Sequence, residues 1–143
     1  MFRGDANFKE NYVDLRGYKW KLDQLFVHEI IHCLQQNHTG FWNSNPVGGH
    51  AQWKWEGFAE YSARQKDHPE LRKNIELYLN SDPSLWEIEF ENGLMAPRNY
   101  YLFGILVQFQ VEENRMSFKD ILAADLSVEE AEKEMLNWYE ATN

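Results

Sequence analysis

Residues 28–38 read HEIIHCLQQNH. Histidines four apart on a helix lie on one face, a turn apart, so His28 and His32 can aim both imidazoles at one metal ion. Glu29 is offset by about 100° around such a helix. It therefore stands beside the ion, where a carboxylate can take a proton from an ion-bound water. Twenty-four positions after His32 comes Glu56, in the stretch WEGFAEY, which repeats the spacing with acids, Glu56 and Glu60. A catalytic zinc site with two histidines needs a third protein ligand and an open position for water. A ligating imidazole also needs an acceptor for its other ring N–H. Glu56 as ligand and Glu60 as acceptor supply both from one helical turn, and Gly57 and Ala59 leave room for that helix to pack closely. The chemistry these residues suit is hydrolysis assisted by zinc.

HExxH followed by EGxAEY resembles the gluzincins, the thermolysin-like and aminopeptidase N-like zinc metallopeptidases, including their small single-domain members. The resemblance implies zinc held by His28, His32 and Glu56, Glu29 as the general base, and Glu60 hydrogen-bonded to a zinc histidine, His28. The run Tyr101-Leu102-Phe103-Gly104 is similar to the Y-x-x-G start of a helix in aminopeptidase-type members, where the tyrosine hydroxyl steadies the oxyanion. Tyr101 is the first choice for that role and Tyr100 its rival. The implied activity is hydrolysis of peptide bonds in a peptide or protein substrate. The GxMEN-type exopeptidase motif is absent, which favours an endopeptidase-like cleft. The alternative is a zinc-stabilised domain that binds peptide without cutting it. Glu29 speaks against that alternative, because a structural zinc has no use for a base.

His38 is a rival third ligand, since it falls at the third histidine of the metzincin pattern HExxHxxGxxH. That pattern needs a glycine three residues after the second histidine to turn the chain out of the helix. Gln35 stands there instead, so the helix can continue and carry His38 roughly 9 Å along the axis from His32. His50 and His68 read as ordinary surface residues in loops, with His50 able to line a cleft. Met95, in GLMAP, is only a loose match to the underlying methionine of the metzincins.

The elements that must position these groups are mostly helical. Leu22, Leu25, Phe26, Ile30, Cys33 and Leu34 recur at helical spacing. With Val27 and Ile31 they predict a helix over 22–36 that is buried on most sides, with Cys33 a small core residue. Residues 39–50 (TGFWNSNPVGGH) read as a loop. Further helices are expected from about Gln52 or Trp55 to Lys66, and over about 70–80, 99–113 and 118–124. A last one starts at Ser127, where SVEE forms a capping box. Tyr12–Leu15 is the one strand candidate, and 85–90 is ambiguous. The expected class is mainly α: a zincin-like helical domain spanning 1–143 with a minimal or missing N-terminal β-sheet. Only 27 residues precede His28, so the sheet is expected to be a minimal one served by the strand near Tyr12–Leu15, or else to be completed by a partner or by a missing N-terminal segment. That edge receives substrate as an added strand in the larger gluzincins.

Composition bounds the rest. With 43% apolar and 15% aromatic residues, the 143-residue chain can bury one core. A net charge of −9 repels phosphate backbones and argues against nucleic-acid binding. No apolar run reaches the roughly 20 residues that cross a bilayer. A single cysteine forms no internal disulfide. If Met1 is the native start, the lack of a signal peptide points to the cytoplasm; a trimmed chain would point to a secreted or envelope protein.

Overall fold

The computed structural model describes residues 5–15, 18–40 and 51–142. The protein is mainly helical, with 61% helix among the described residues. Among the described residues the order is β1 (Asp5–Asn7), β2 (Tyr12–Leu15), β3 (Tyr18–Lys21), α1 (Leu22–Thr39), α2 (Gln52–Arg64), α3 (Leu71–Asn80), β4 (Glu87–Glu89), β5 (Met95–Pro97), α4 (Arg98–Glu112), α5 (Phe118–Ala123) and α6 (Val128–Ala141). The loop expected over 39–50 yields Thr39 to α1, and residues 41–50, His50 among them, lie outside the described part.

The strand at Tyr12–Leu15 is the centre of a three-stranded antiparallel meander, with Val13 opposite Ala6 on β1 and Trp20 on β3. The sheet is therefore larger than the one strand expected. β3 (YKWK) carries a short aromatic–lysine alternation, and β1 (DAN) has no β signal of its own. Asn11 ties this sheet to α1. It sits at φ 56°, a left-handed conformation that asparagine tolerates. From there its carbonyl accepts Leu22 N–H at 3.1 Å and its Oδ1 accepts Asp23 N–H at 3.0 Å. Two of the unpaired N–H groups of the first helical turn are thus met from across the turn between β1 and β2.

α4 is the hub of the core. Leu102, Ile105, Leu106, Val107 and Phe109 pack with Leu71 and Ile75 of α3, Ile121 of α5, Ala131 and Met135 of α6, and Ile88 and Ala96 of the β4–β5 hairpin. α5 and α6 each open on a capping box, Ser117 with Asp120 and Ser127 with Glu130. α2 crosses α4 where two glycines meet it. A Cβ on Gly57 would run into the Phe103 carbonyl and come 2.8 Å from Val107 Cγ2, and one on Gly104 would lie 3.1 Å from Glu60 Cβ. The glycine of WEG is thus a packing residue: it lets α2 lie against α4 while Glu56 and Glu60 face α1.

α1 is not buried on most sides, and much of its apolar stripe faces outward. Leu22, Gln24, His28 and Gln35 are buried, whereas Phe26, Ile30 and Leu34 are 53%, 57% and 57% exposed, and Val27 is exposed too. Cys33 is exposed as well, not a core residue. Periodicity locates an apolar stripe but does not say which side is pinned to the protein. Here the pinning groups are polar, and they turn the stripe outward.

Candidate metal centre

His28 and His32 stand one turn apart on α1, and Glu56 reaches them from the first turns of α2. The three form a group able to hold a metal ion. His28 Nε2 and His32 Nε2 are 3.0 Å apart. Glu56 Oε2 lies 3.1 Å from His32 Nε2 and 3.3 Å from His28 Nε2. In a tetrahedral zinc site with bonds of 2.0–2.1 Å, neighbouring ligand atoms are about 3.3 Å apart. The spacing of the three atoms matches that edge closely.

The outer nitrogens explain why the Nε2 atoms converge. Gln35 Nε2 donates to the Trp55 carbonyl at 2.9 Å, which turns its Oε1 toward His32. That oxygen lies 2.7 Å from His32 Nδ1, so Nδ1 carries the proton and Nε2 of the neutral ring is a lone pair. The ring also stacks parallel to Trp55, with centroids 6.3 Å apart. His28 Nδ1 faces Glu60 Oε1 at 3.3 Å. The contact is off the straight hydrogen-bond line, and no other partner reaches this buried nitrogen. With both Nδ1 atoms directed at acceptors, two imidazole lone pairs and a carboxylate oxygen point at one spot. Three acceptors that close repel one another unless a cation lies between them.

The electrostatics agree. Burial on its own lowers the pKa of His28, but hydrogen bonding and charge from Glu56 and Glu60 outweigh it and raise the value to about 9. His32 moves the same way: burial lowers it, and Glu56 and Gln35 more than compensate. Burial pushes Glu56 and Glu60 upward. The histidines overcome that for Glu56, and Arg64 together with His28 does so for Glu60, so both carboxylates settle at about 2. Without an ion, protons take the cation's place in this cluster.

Glu29, next to His28 in the chain, is exposed. A pocket of about 90 Å³ lies on the Glu60 side of His28, lined by His28, Glu29, Glu60, Gln24, Arg64 and Tyr100, with Trp20, Leu25, Ala63 and Pro97 as apolar walls. Trp20, Pro97 and Tyr100 also border a wider groove of about 570 Å³ that runs to Leu85 and Trp86. Of the two tyrosines, Tyr100 is the one at the site, its ring 6.2 Å from that of His28. Burial, with Glu56 and Glu60 nearby, raises its pKa and keeps the hydroxyl protonated. The structure places Tyr101, the first choice from sequence, elsewhere: it is 2% exposed and donates to Asn74 Oδ1 at 3.2 Å in the core.

His38 is exposed near the C-terminal end of α1 and outside the cluster, because α1 continues past Gln35 without a turn. His68 is not a plain surface residue. It is partly buried, with its ring 4.7 Å from Phe90, and burial lowers its pKa. Three residues have parts in the arrangement that the sequence reading does not assign: Arg64, Gln24, and Gln35, which it takes only as the residue in place of the metzincin glycine. Each lies at i+3, i+4 or i−4 from a residue of the motifs, which is the signal that would have found them.

The chain matches no protein-family model, no curated protein and no solved structure.

Proposed function

We propose that this protein is a zinc-dependent peptidase with the gluzincin arrangement of ligands on a small zincin-like helical domain. The observation that carries this reading is the convergence of His28 Nε2, His32 Nε2 and Glu56 Oε2 on one spot, with Glu29 and Tyr100 on a pocket that His28 also lines. Zinc is the ion best suited to two imidazoles and one carboxylate with an open position. When bound there, it supplies a Lewis acid that polarises the scissile carbonyl and acidifies water.

The chain's own groups do the rest. Glu29 accepts a proton from the water that attacks the carbonyl carbon. The carbonyl oxygen takes up the electron pair, and the Tyr100 hydroxyl donates a hydrogen bond to it. As the C–N bond breaks, Glu29 passes its proton to the departing amine nitrogen and returns to its ionised state. The groove bordered by Trp20, Pro97 and Tyr100, which runs toward Leu85 and Trp86, has room for the flanking peptide.

The test is hydrolysis of a mixed pool of fluorescence-quenched peptides by zinc-loaded wild type and Glu29→Gln. Loss of about 100-fold or more in kcat with unchanged zinc content is expected. Equal cleavage by the two would remove Glu29 from the mechanism. Zinc binding without cleavage by either would mark a peptide-binding domain.

A further inference from the structure

Behind His28 lies a chain of polar contacts that the hydrolytic steps do not use. Glu60 is 6% exposed, and its two oxygens are divided between two partners. Oε1 faces His28 Nδ1 at 3.3 Å, and Oε2 accepts from Arg64 Nε at 2.5 Å. Arg64 follows Glu60 by one turn of α2, so helix geometry alone brings them together. The guanidinium reaches on: Nη1 donates to Gln24 Oε1 at 3.0 Å. Gln24 Nε2 then donates to Asp67 Oδ2 at 3.0 Å, and Lys21 Nζ donates to the same oxygen at 2.6 Å. Gln24 precedes His28 by one turn of α1. The two helices are therefore joined at two successive levels, Glu56 with the histidines at one and Gln24 with Arg64 at the next.

A ligating histidine is aimed by the group on its other nitrogen. The last torsion of a glutamate is broad, so Glu60 alone is free to turn Oε1 away from His28. Arg64 removes that freedom by holding Oε2, and it provides the opposite charge that a buried carboxylate requires. We infer that Arg64 is a positioning residue of the metal centre: held by Gln24, it fixes Glu60, and Glu60 fixes the ring of His28. The inference rests on His28, His32 and Glu56 being metal ligands.

The experiment is zinc competition against a chromophoric chelator for wild type, Arg64→Met, Arg64→Lys and Gln24→Ala. Visible spectra of the cobalt-loaded proteins accompany it, and melting of the metal-free proteins reports folding. Arg64→Met should bind zinc about 10- to 100-fold more weakly, with altered cobalt bands. Arg64→Lys, which keeps a donor and a charge for Glu60, should recover part of the loss, and Gln24→Ala should show a smaller loss. Wild-type affinity in all three variants, with wild type itself binding zinc, would overturn the role of Arg64 and leave the metal site standing. Failure of wild type to take up zinc would instead overturn the metal site and this inference with it. If Arg64→Met does not fold, Arg64→Lys and Gln24→Ala decide: unchanged affinity and cobalt spectra in both would overturn the inference.

Discussion

His28 and His32 meet edge to face, their rings 84° apart and their Nε2 atoms separated by 3.0 Å. Each ring has an acceptor behind its Nδ1 and Glu56 Oε2 before its Nε2. Gln35 and Glu60 supply the acceptors, and Glu56 closes the third side.

The two adjacent tyrosines should separate activity from stability. Tyr100→Phe should lower kcat by about 10- to 100-fold and leave the melting temperature near wild type, since its hydroxyl is assigned to the oxyanion. Tyr101→Phe should leave catalysis intact and cost about 1–2 kcal/mol of stability, because Asn74 Oδ1 loses its buried donor. Peptide hydrolysis beside thermal melting checks both, and the reverse pattern would return the role to Tyr101.

Gln35 should matter to the metal although it touches no ion. Gln35→Leu removes the acceptor on His32 Nδ1 and the donor to the Trp55 carbonyl. Zinc affinity should fall by about 10-fold, read by chelator competition. Unchanged affinity would mean that the stacking of His32 on Trp55 suffices to orient the ring.

The metal-free protein should have a defined pH optimum of stability. His28 has its pKa raised from 6.5 to about 9, so its contribution is complete below pH 6.5 and is lost as pH rises through 9. Glu56 and Glu60 are lowered from 4.5 to about 2, so theirs is complete above pH 4.5 and is lost as pH falls through 2. Melting temperature measured across this range should be highest between pH 4.5 and 6.5 and decline on both sides. A melting temperature that climbs from pH 6.5 to 9 in metal-free protein would contradict the pairing of His28 with the two carboxylates.

Gly57→Ala should destabilise the protein by about 1–3 kcal/mol despite the better helix propensity of alanine. Its Cβ meets the Phe103 carbonyl and Val107, so α2 must shift away from α4 and take Glu56 with it. Denaturant unfolding measures the loss, and a gain in stability would show that α4 yields freely at this crossing.

The grouping of the candidate ligands was more legible in the sequence than what surrounds it. His28, His32, Glu56 and Glu60 were legible because helical spacing converts sequence distance into a shared face. The strand at Tyr12–Leu15, the start of α4 after Pro97 and the capping box at Ser127 were legible because each rests on local chemistry. What failed depends on tertiary contacts. The rotation of α1 that exposes Phe26, Ile30, Leu34 and Cys33 is set by Glu56 and Trp55 on α2, which no window along α1 contains. Tyr100 and Tyr101 are neighbours in one helical turn, and only the position of Asn74 on α3 separates the buried hydroxyl from the one at the site. β1 is a three-residue strand whose partner, not its composition, makes it a strand.

The most direct test of the metal centre is zinc content per chain after dialysis, for wild type beside Glu56→Ala and His38→Ala. About one zinc per chain is expected in wild type and in His38→Ala, and close to none in Glu56→Ala. Zinc lost only in His38→Ala would make His38 the third ligand. A wild type that takes up no zinc even after reconstitution would leave HEIIH as a helix with two histidines and contradict the account at its base.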